Sequence, residues 1–353
     1  EEISAMSYYW SQEEDIAEIS SHVGTKQASK SSMGTYTYNN LSMYERLTYD
    51  WAKDLHKLSA GAVFFLSDGS NAGNSYYERQ MYLVGNASYS YADKYFVDAV
   101  AQYAGSSRFS PESRFAFFPS VAFAWFASRE DFLKDVPWLD RIRLGIDMGS
   151  IGDADIFGTN YLYRASYVSA SGQNFGPATA YQWFGSDKRD SQTTTISRLA
   201  NHSLRWPRIN QLDIKLEGRI FDKLDLTANF YRIHREGTIT NVSTEYAMMT
   251  GLSGIAIYDN YNAYMTTGLD LSARYTRTFG DWKVSAGGSI MAWNHVYDRY
   301  ANDFYIYDWQ RVTGTRYGSY RGFVCIGAFQ SEEEIASSPL YDTDTRVGDL
   351  KYK

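Results

Sequence analysis

Residues 211–220 read Gln-Leu-Asp-Ile-Lys-Leu-Glu-Gly-Arg-Ile. The odd positions, Gln211, Asp213, Lys215, Glu217 and Arg219, are polar or charged, and the even positions, Leu212, Ile214, Leu216, Gly218 and Ile220, are apolar or glycine. A period of two puts each set on its own face of a strand, whereas a helix would spread both around its circumference. After Phe221-Asp222-Lys223 the alternation resumes, with Leu224, Leu226, Ala228 and Phe230 against Asp225, Thr227, Asn229 and Tyr231. The two runs predict a hairpin with a tight turn.

The pattern extends in both directions. Arg141, Arg143 and Asp147 alternate with Ile142, Leu144, Ile146 and Met148, and Asp270, Ser272 and Arg274 alternate with Leu269, Leu271 and Ala273. Past a turn at Gly280-Asp281, Trp282, Val284, Ala286 and Ile290 oppose Lys283, Ser285 and Ser289. Strands are expected near 42–51, 57–67, 80–91, 95–104, 115–127, 139–149, 208–221, 223–235, 264–279, 281–296 and 316–326. Several exceed ~10 residues, the length of a tilted membrane crossing.

The connections alternate as well. Short ones fall at 52–56, 92–94, 128–138, 221–223 and 280–281, and long polar ones at 10–40, 68–79, 105–114, 150–206, 236–262 and 297–315. Short turns at one end and long loops at the other describe an all-β, transmembrane antiparallel β-barrel with periplasmic turns and extracellular loops. A soluble sandwich also alternates, but favours Val, Ile and Leu over Tyr in its core. Here 31 of the 353 residues are Tyr, against 19 Phe. A ring with a wet hydroxyl suits a bilayer interface or a lumen wall. The mean hydropathy of −0.43 and the lack of a ~20-residue apolar run exclude transmembrane helices but leave a barrel open, because only alternate residues meet lipid.

A net charge of −7 without a basic patch argues against nucleic acid as a partner. The single cysteine, Cys325, excludes an internal disulfide and a multi-cysteine zinc site. The histidines, His22, His56, His202, His234 and His295, are scattered without metal-ligand spacing, so neither a metal nor another cofactor is expected. Asp342-Thr343-Asp344 followed by Gly348-Asp349 has its glycine at the wrong offset for a calcium loop. No acid–base or nucleophile constellation emerges, so the chain is not expected to be an enzyme.

One stretch is more specific than periodicity. Residues 89–128 carry an Asp93-Lys94 turn, the loop Gly105-Ser106-Ser107-Arg108-Phe109, then Phe118-Pro119-Ser120-Val121 and Trp125. The order resembles the SusC/RagA family of TonB-linked outer-membrane proteins. Phe132-Leu133-Lys134 with Trp138-Leu139, the hairpin from Asn201 to Arg232, and Phe329-Gln330-Ser331 with Gly348-Asp349-Leu350-Lys351-Tyr352-Lys353 are similar to later stretches of that family, in the same order. Pro207-Arg208 stands where the family has an acidic residue after Trp206, and Ala104 where its glycine–serine loop opens with an aspartate.

The resemblance implies that residues 1–353 are part of the barrel domain of a transporter with about 22 strands, the N-terminal plug and the last strands lying outside this chain. It further implies TonB-dependent import at the outer membrane of oligosaccharides or oligopeptides. The expected partners are a SusD-like lid lipoprotein, TonB through segments absent here, and the lipid bilayer. A passive porin or sugar channel is the alternative, and a barrel hydrolase a lesser one. Tyr181, Trp183, Phe184, Tyr258 and Tyr261 are candidate substrate contacts, because sugar rings stack on aromatic faces. Arg141, Arg143, Asp213, Lys215, Glu217, Arg219, Asp270 and Arg274 are expected to line the lumen wall, chiefly as a solvated, mutually paired surface.

Overall fold

The computed structural model describes residues 3–4, 30–31, 38–71, 77–154, 161–170, 193–245, 254–301, 307–340 and 342–352. Its main strands, in chain order, are β1 (Tyr38–Lys53), β2 (His56–Asn71), β3 (Tyr77–Tyr91), β4 (Tyr95–Ser106), β5 (Phe115–Trp125), β6 (Leu139–Gly152), β7 (Ser166–Ala170), β8 (Thr193–Arg198), β9 (Arg208–Ile220), β10 (Leu224–Asn241), β11 (Tyr258–Phe279), β12 (Trp282–Arg299), β13 (Cys325–Ala328) and β14 (Leu350–Tyr352). One short helix, α1 (Glu332–Ser337), precedes β14. No helix among the described residues is long and apolar enough to cross a membrane, which leaves crossing by strands untouched.

The chain divides into two compact units, Glu1–Ala122 with Ile151–Trp206, and Phe123–Ser150 with Pro207–Lys353. In the first, β1, β2, β3, β4 and β5 are successive neighbours. In the second the order is β6, β9, β10, β11, β12. The hairpins pair antiparallel over nearly their full length, for example from Arg208↔Glu236 to Ile220↔Leu224 without a break. Ten of the eleven expected strands are therefore present where the alternation puts them. The ladder bonds give the backbone N–H and C=O groups partners within the sheet.

The strand expected over 316–326 does not form. Only Arg316 bridges β12, at Val296. Gly318 turns the chain at φ +74. The Arg321 guanidinium then donates to the carbonyls of Gln310 and Arg311, folding 310–321 back on itself. Extended structure resumes at β13, which pairs with β14.

At the short-turn end, several non-glycine residues adopt the left-handed conformation of tight hairpins. These are Asp54 (φ +53), Ala92 (+53), Asp93 (+50), Phe221 (+54) and Asp222 (+55). Such a residue costs about 1–2 kcal/mol. Neighbouring turns offset this by bonding to one another. Ala92 N donates to Leu55 O at 2.8 Å and Phe221 N to Trp138 O at 2.9 Å, while Thr276 N within β11 extends the ladder to Lys223 O at 2.7 Å.

The strands carry little core of their own, and large apolar side chains such as Leu47 (75% exposed) and Ile290 (71%) stand clear of protein. The dense packing of the first unit lies at its long-loop end. Phe109, Leu204 and Trp206 are buried there. The Trp206 ring stacks on Phe109 at 5.0 Å and meets Phe118 edge-on at 5.6 Å. Its indole Nε1 donates to Arg114 O at 2.9 Å. Ser110 Oγ donates to His202 O at 2.7 Å, and Arg108 Nη1 to Ala154 O at 3.0 Å. The Gly-Ser-Ser-Arg-Phe stretch is thus a structural knot that ties 105–114 to 201–206.

In the second unit, α1 is capped by Ser331, whose side chain accepts from Glu334 N. Glu334 in turn accepts from Gln330 N at 2.8 Å and pairs with Lys351 Nζ at 2.8 Å, joining α1 to β14. The Gln330 amide, followed by Lys351, holds the Glu334 carboxyl below its ordinary range.

Trp206→Ala removes the centre of the knot and should cost about 3–5 kcal/mol. Limited proteolysis is expected to cut 105–114 in the variant and spare it in the parent. A depressed carboxylate contributes stability above its ordinary pKa and loses it as pH falls through the lower folded value. Amide exchange at Gln330 and Ser331 should therefore accelerate below about pH 4, and Glu334→Gln should abolish that pH dependence.

Candidate functional site

The alternation that builds the second unit also sorts its chemistry. On β9 the odd residues, and on β11 the even ones, share one face through the registers Lys215↔Asn229↔Asp270 and Arg219↔Asp225↔Arg274. Arg143 on β6 reaches the same face, where its Nη1 lies 2.9 Å from Glu217.

Near the short turns this face carries paired charges. Glu217 is held from two sides, by Arg143 and by Lys215 Nζ at 2.8 Å. Asp225 lies between Arg219 Nε at 3.3 Å and Arg141 Nη2 at 3.9 Å. The Arg219 Nε makes no hydrogen bond to the carboxylate, so that contact is an ion pair alone. Half-exposed pairs of this kind contribute at most about 1 kcal/mol each. Asp213 accepts from Gln211 Nε2. Asp270 Oδ1 is buried without a hydrogen-bond partner, and Arg274, opposite Asp225, makes no ion pair among the described residues. The expected wall charges therefore do share a face. Six of the eight are joined in three small groups, with Asp225 as the central anion that the sequence reading did not single out.

Toward the long loops the charges give way to rings. Tyr231 lies across Gly268, where an added Cβ would come within 2.3 Å of its Cζ. On β12 the residues facing this side run Met291, Trp293, His295 and Tyr297, opposite Asp270, Gly268, Thr266 and Tyr264. Tyr264 stacks on His295 at 5.8 Å and contacts Tyr297 at 5.6 Å. Tyr317 closes the group, 5.0 Å from His295 and 5.2 Å from Tyr297, and Arg316 lies over Trp293 at 5.4 Å. The segment bearing Tyr317 and Arg316 is held to the end of β12 by backbone bonds, Gly314 N to Tyr297 O and Tyr317 N to His295 O, both 2.7 Å. Thr266 Oγ1 and His295 Nδ1, 2.6 Å apart, fix the imidazole.

Of the aromatic candidates named from the sequence, Tyr181, Trp183 and Phe184 lie outside the described residues. Tyr258 and Tyr261 begin β11, and the Tyr261 ring is covered by the Arg299 guanidinium at 5.2 Å. The cluster of Tyr264, His295, Tyr297 and Tyr317 escaped the sequence reading. Its signal was the continued alternation of Trp293, His295 and Tyr297, which only the register with β11 converts into a shared surface. No group of three or more His, Cys, Asp or Glu that could hold a metal occurs among the described residues.

No family model matches the chain. It is 27% identical over 285 residues to TonB-dependent receptor P26 of Formosa agariphila, an alignment covering 76% of this chain and 26% of that protein. It is also 27% identical over 256 residues to TonB-dependent receptor SusC of Bacteroides thetaiotaomicron, covering 63% of this chain and 24% of the relative. Among solved structures, the RagAB peptide importer in its closed-closed state matches 90% of this chain and 37% of that chain, with a TM-score of 0.63 at 18% identity. The chain thus spans about a quarter of the length of these curated relatives. The resemblance to SusC/RagA-type TonB-dependent transporters is upheld, and the strands share the fold of outer-membrane barrels of that type.

Gly268→Val should expel the Tyr231 ring from the sheet face and cost about 1–3 kcal/mol. Glu217→Ala, which strips Arg143 and Lys215 of a shared partner, is expected to cost about 1–2 kcal/mol. Urea unfolding of the detergent-solubilised protein, followed by tryptophan fluorescence, measures both.

Proposed function

We propose that this chain forms part of the wall of an outer-membrane importer that takes up oligosaccharides or oligopeptides, is driven through TonB, and works under a SusD-like lipoprotein lid. On this reading the charged and aromatic face lines the lumen, and the apolar face of the same strands meets lipid. The observation that carries it is the cluster of Tyr264, His295, Tyr297 and Tyr317 at the long-loop end of the polar face, on the side from which substrate would arrive. The names of the relatives support TonB coupling, and the likeness to the RagAB peptide importer supports the architecture.

The physical roles follow from position. Flat rings offer area to a sugar face or a peptide side chain at low entropic cost. Below them charges of both signs, most of them paired with one another, present a wetted wall. A wide lumen needs a plug to avoid leakage, and the outer membrane has no energy source of its own, which is the reason for coupling to the inner membrane. The relatives carry receptor and importer names, which supports transport rather than catalysis.

Uptake by cells whose only copy of the gene carries Tyr297→Ala should fall by roughly 2- to 12-fold at limiting substrate, the equivalent of one lost ring contact. Radiolabelled maltooligosaccharides and a mixed oligopeptide pool, tested separately, distinguish the two cargo classes. Uptake that stops on addition of a protonophore supports the driven importer. Uptake that persists would convert the reading into a passive channel, and hydrolysis of either cargo by the purified protein would favour a barrel hydrolase.

A further inference from the structure

We infer that the apolar face of the second unit carries a site for one phospholipid of the periplasmic leaflet, with its phosphate on Arg277 and an acyl chain in a groove floored by Gly218, Ala273 and Gly288. The inference rests on the outer-membrane reading above and adds a specific partner to the lipid-facing side.

The floor is a consequence of register. Gly218, Leu226, Ala273 and Gly288 form one cross-strand row on the apolar face, so three of its four positions bear a methyl group or less. The next row toward the long loops carries Leu216, Ala228, Leu271 and Ile290, whose three large side chains stand up as a wall on either side of Ala228. Trp138, from the 128–138 connection, lines the opposite end. The depression holds about 690 Å³, within the range of sites for small organic ligands, and its lining is almost wholly apolar. A groove of this kind on a face that no described residue covers fits hydrocarbon.

Arg277 makes the surface a site for one particular kind of lipid. It lies on the same face, four residues or roughly 13 Å along β11 from the groove floor at Ala273 and three residues from the turn at Gly280. Its guanidinium rests 4.6 Å from the Phe279 ring centroid and makes no ion pair with any described residue. Tyr275, Phe279 and Trp282 surround it on that face, all substantially exposed. Aromatic rings at such density mark the depth of lipid headgroups. A cation at that depth with its fork unoccupied is complementary to a phosphate, which a guanidinium grips with two donors. The intervening row is Ile220, Leu224, Tyr275 and Ala286, so a lipid with its head at Arg277 would pass its chain over Ala286, the small residue of that row, into the groove, where Leu271 and Ile290 end its path.

The test is native mass spectrometry of the purified transporter after reconstitution with phosphatidylethanolamine and phosphatidylglycerol and release into mild detergent. The parent protein is expected to retain one phospholipid. Arg277→Gln should lower the retained fraction roughly fivefold or more. Gly288→Leu should do the same without altering charge, because a side chain there enters open space above the sheet and fills the groove. Equal retention by the parent and both variants overturns the site, and so does a retained mass matching lipopolysaccharide. Heat-modifiable mobility on gels reports separately on the barrel. A folded parent without an adduct refutes the lipid site alone, whereas a chain that never shows a heat-modifiable form removes the membrane reading beneath it.

Discussion

Each ladder here is a single layer, and that constraint governs the rest. A strand has two faces, and most soluble folds bury one of them beneath a second sheet or a helix. In these units long strands leave apolar side chains such as Leu47, Ile290 and Trp282 standing clear of any covering element. No described residue of this chain supplies that burial. On the outer-membrane reading, lipid covers the apolar face and water wets the polar one. Once that is accepted, strict alternation, strands of 11–22 residues and the concentration of true core in the loops cease to be separate observations.

How far the fold was legible in the residues follows from the same physics. Where a strand separates two media, its side-chain period survives unblurred, and Gln211 to Ile220 could be assigned without reference to anything distant. Eight of the ten strands stand within four residues of their expected bounds for that reason, whereas β10 runs on to Asn241 and β11 starts at Tyr258, each six residues past its expected bound and within the loop expected over 236–262. The run from Arg316 to Ile326 misled because β-rich composition was outweighed by Gly318 and by the grip of Arg321 on two carbonyls, neither of which has a local signature. The site was legible only in part. Which charges share a face could be read from parity alone. Which aromatic rings touch depends on the offset between β11 and β12, and on the return of Tyr317 to the end of β12, so the ring cluster remained hidden.

The order of chemistry along the polar face is itself informative. Charges of both signs interleave at the end near the short turns, where Glu217 and Asp225 are each approached by two cations. Rings occupy the end near the long loops. Apolar ring contact and charged, wettable surface are thus segregated along the strands rather than mixed. Gly268 marks the transition, since its missing side chain is what lets Tyr231 lie flat against the sheet.

The bonds between adjacent turns carry a consequence for how such a chain diverges. Leu55 with Ala92 and Trp138 with Phe221 tie the tip of one hairpin to the next, so an inserted or deleted residue there would break contacts in two hairpins at once. A one-residue slip inside a strand would be worse, because it turns every following side chain to the wrong medium. Length variation is thereby driven to the opposite end, where loops can grow without disturbing either register or tip. Lineages can then exchange recognition surfaces by lengthening and shortening those loops while the frame beneath them drifts only by substitution.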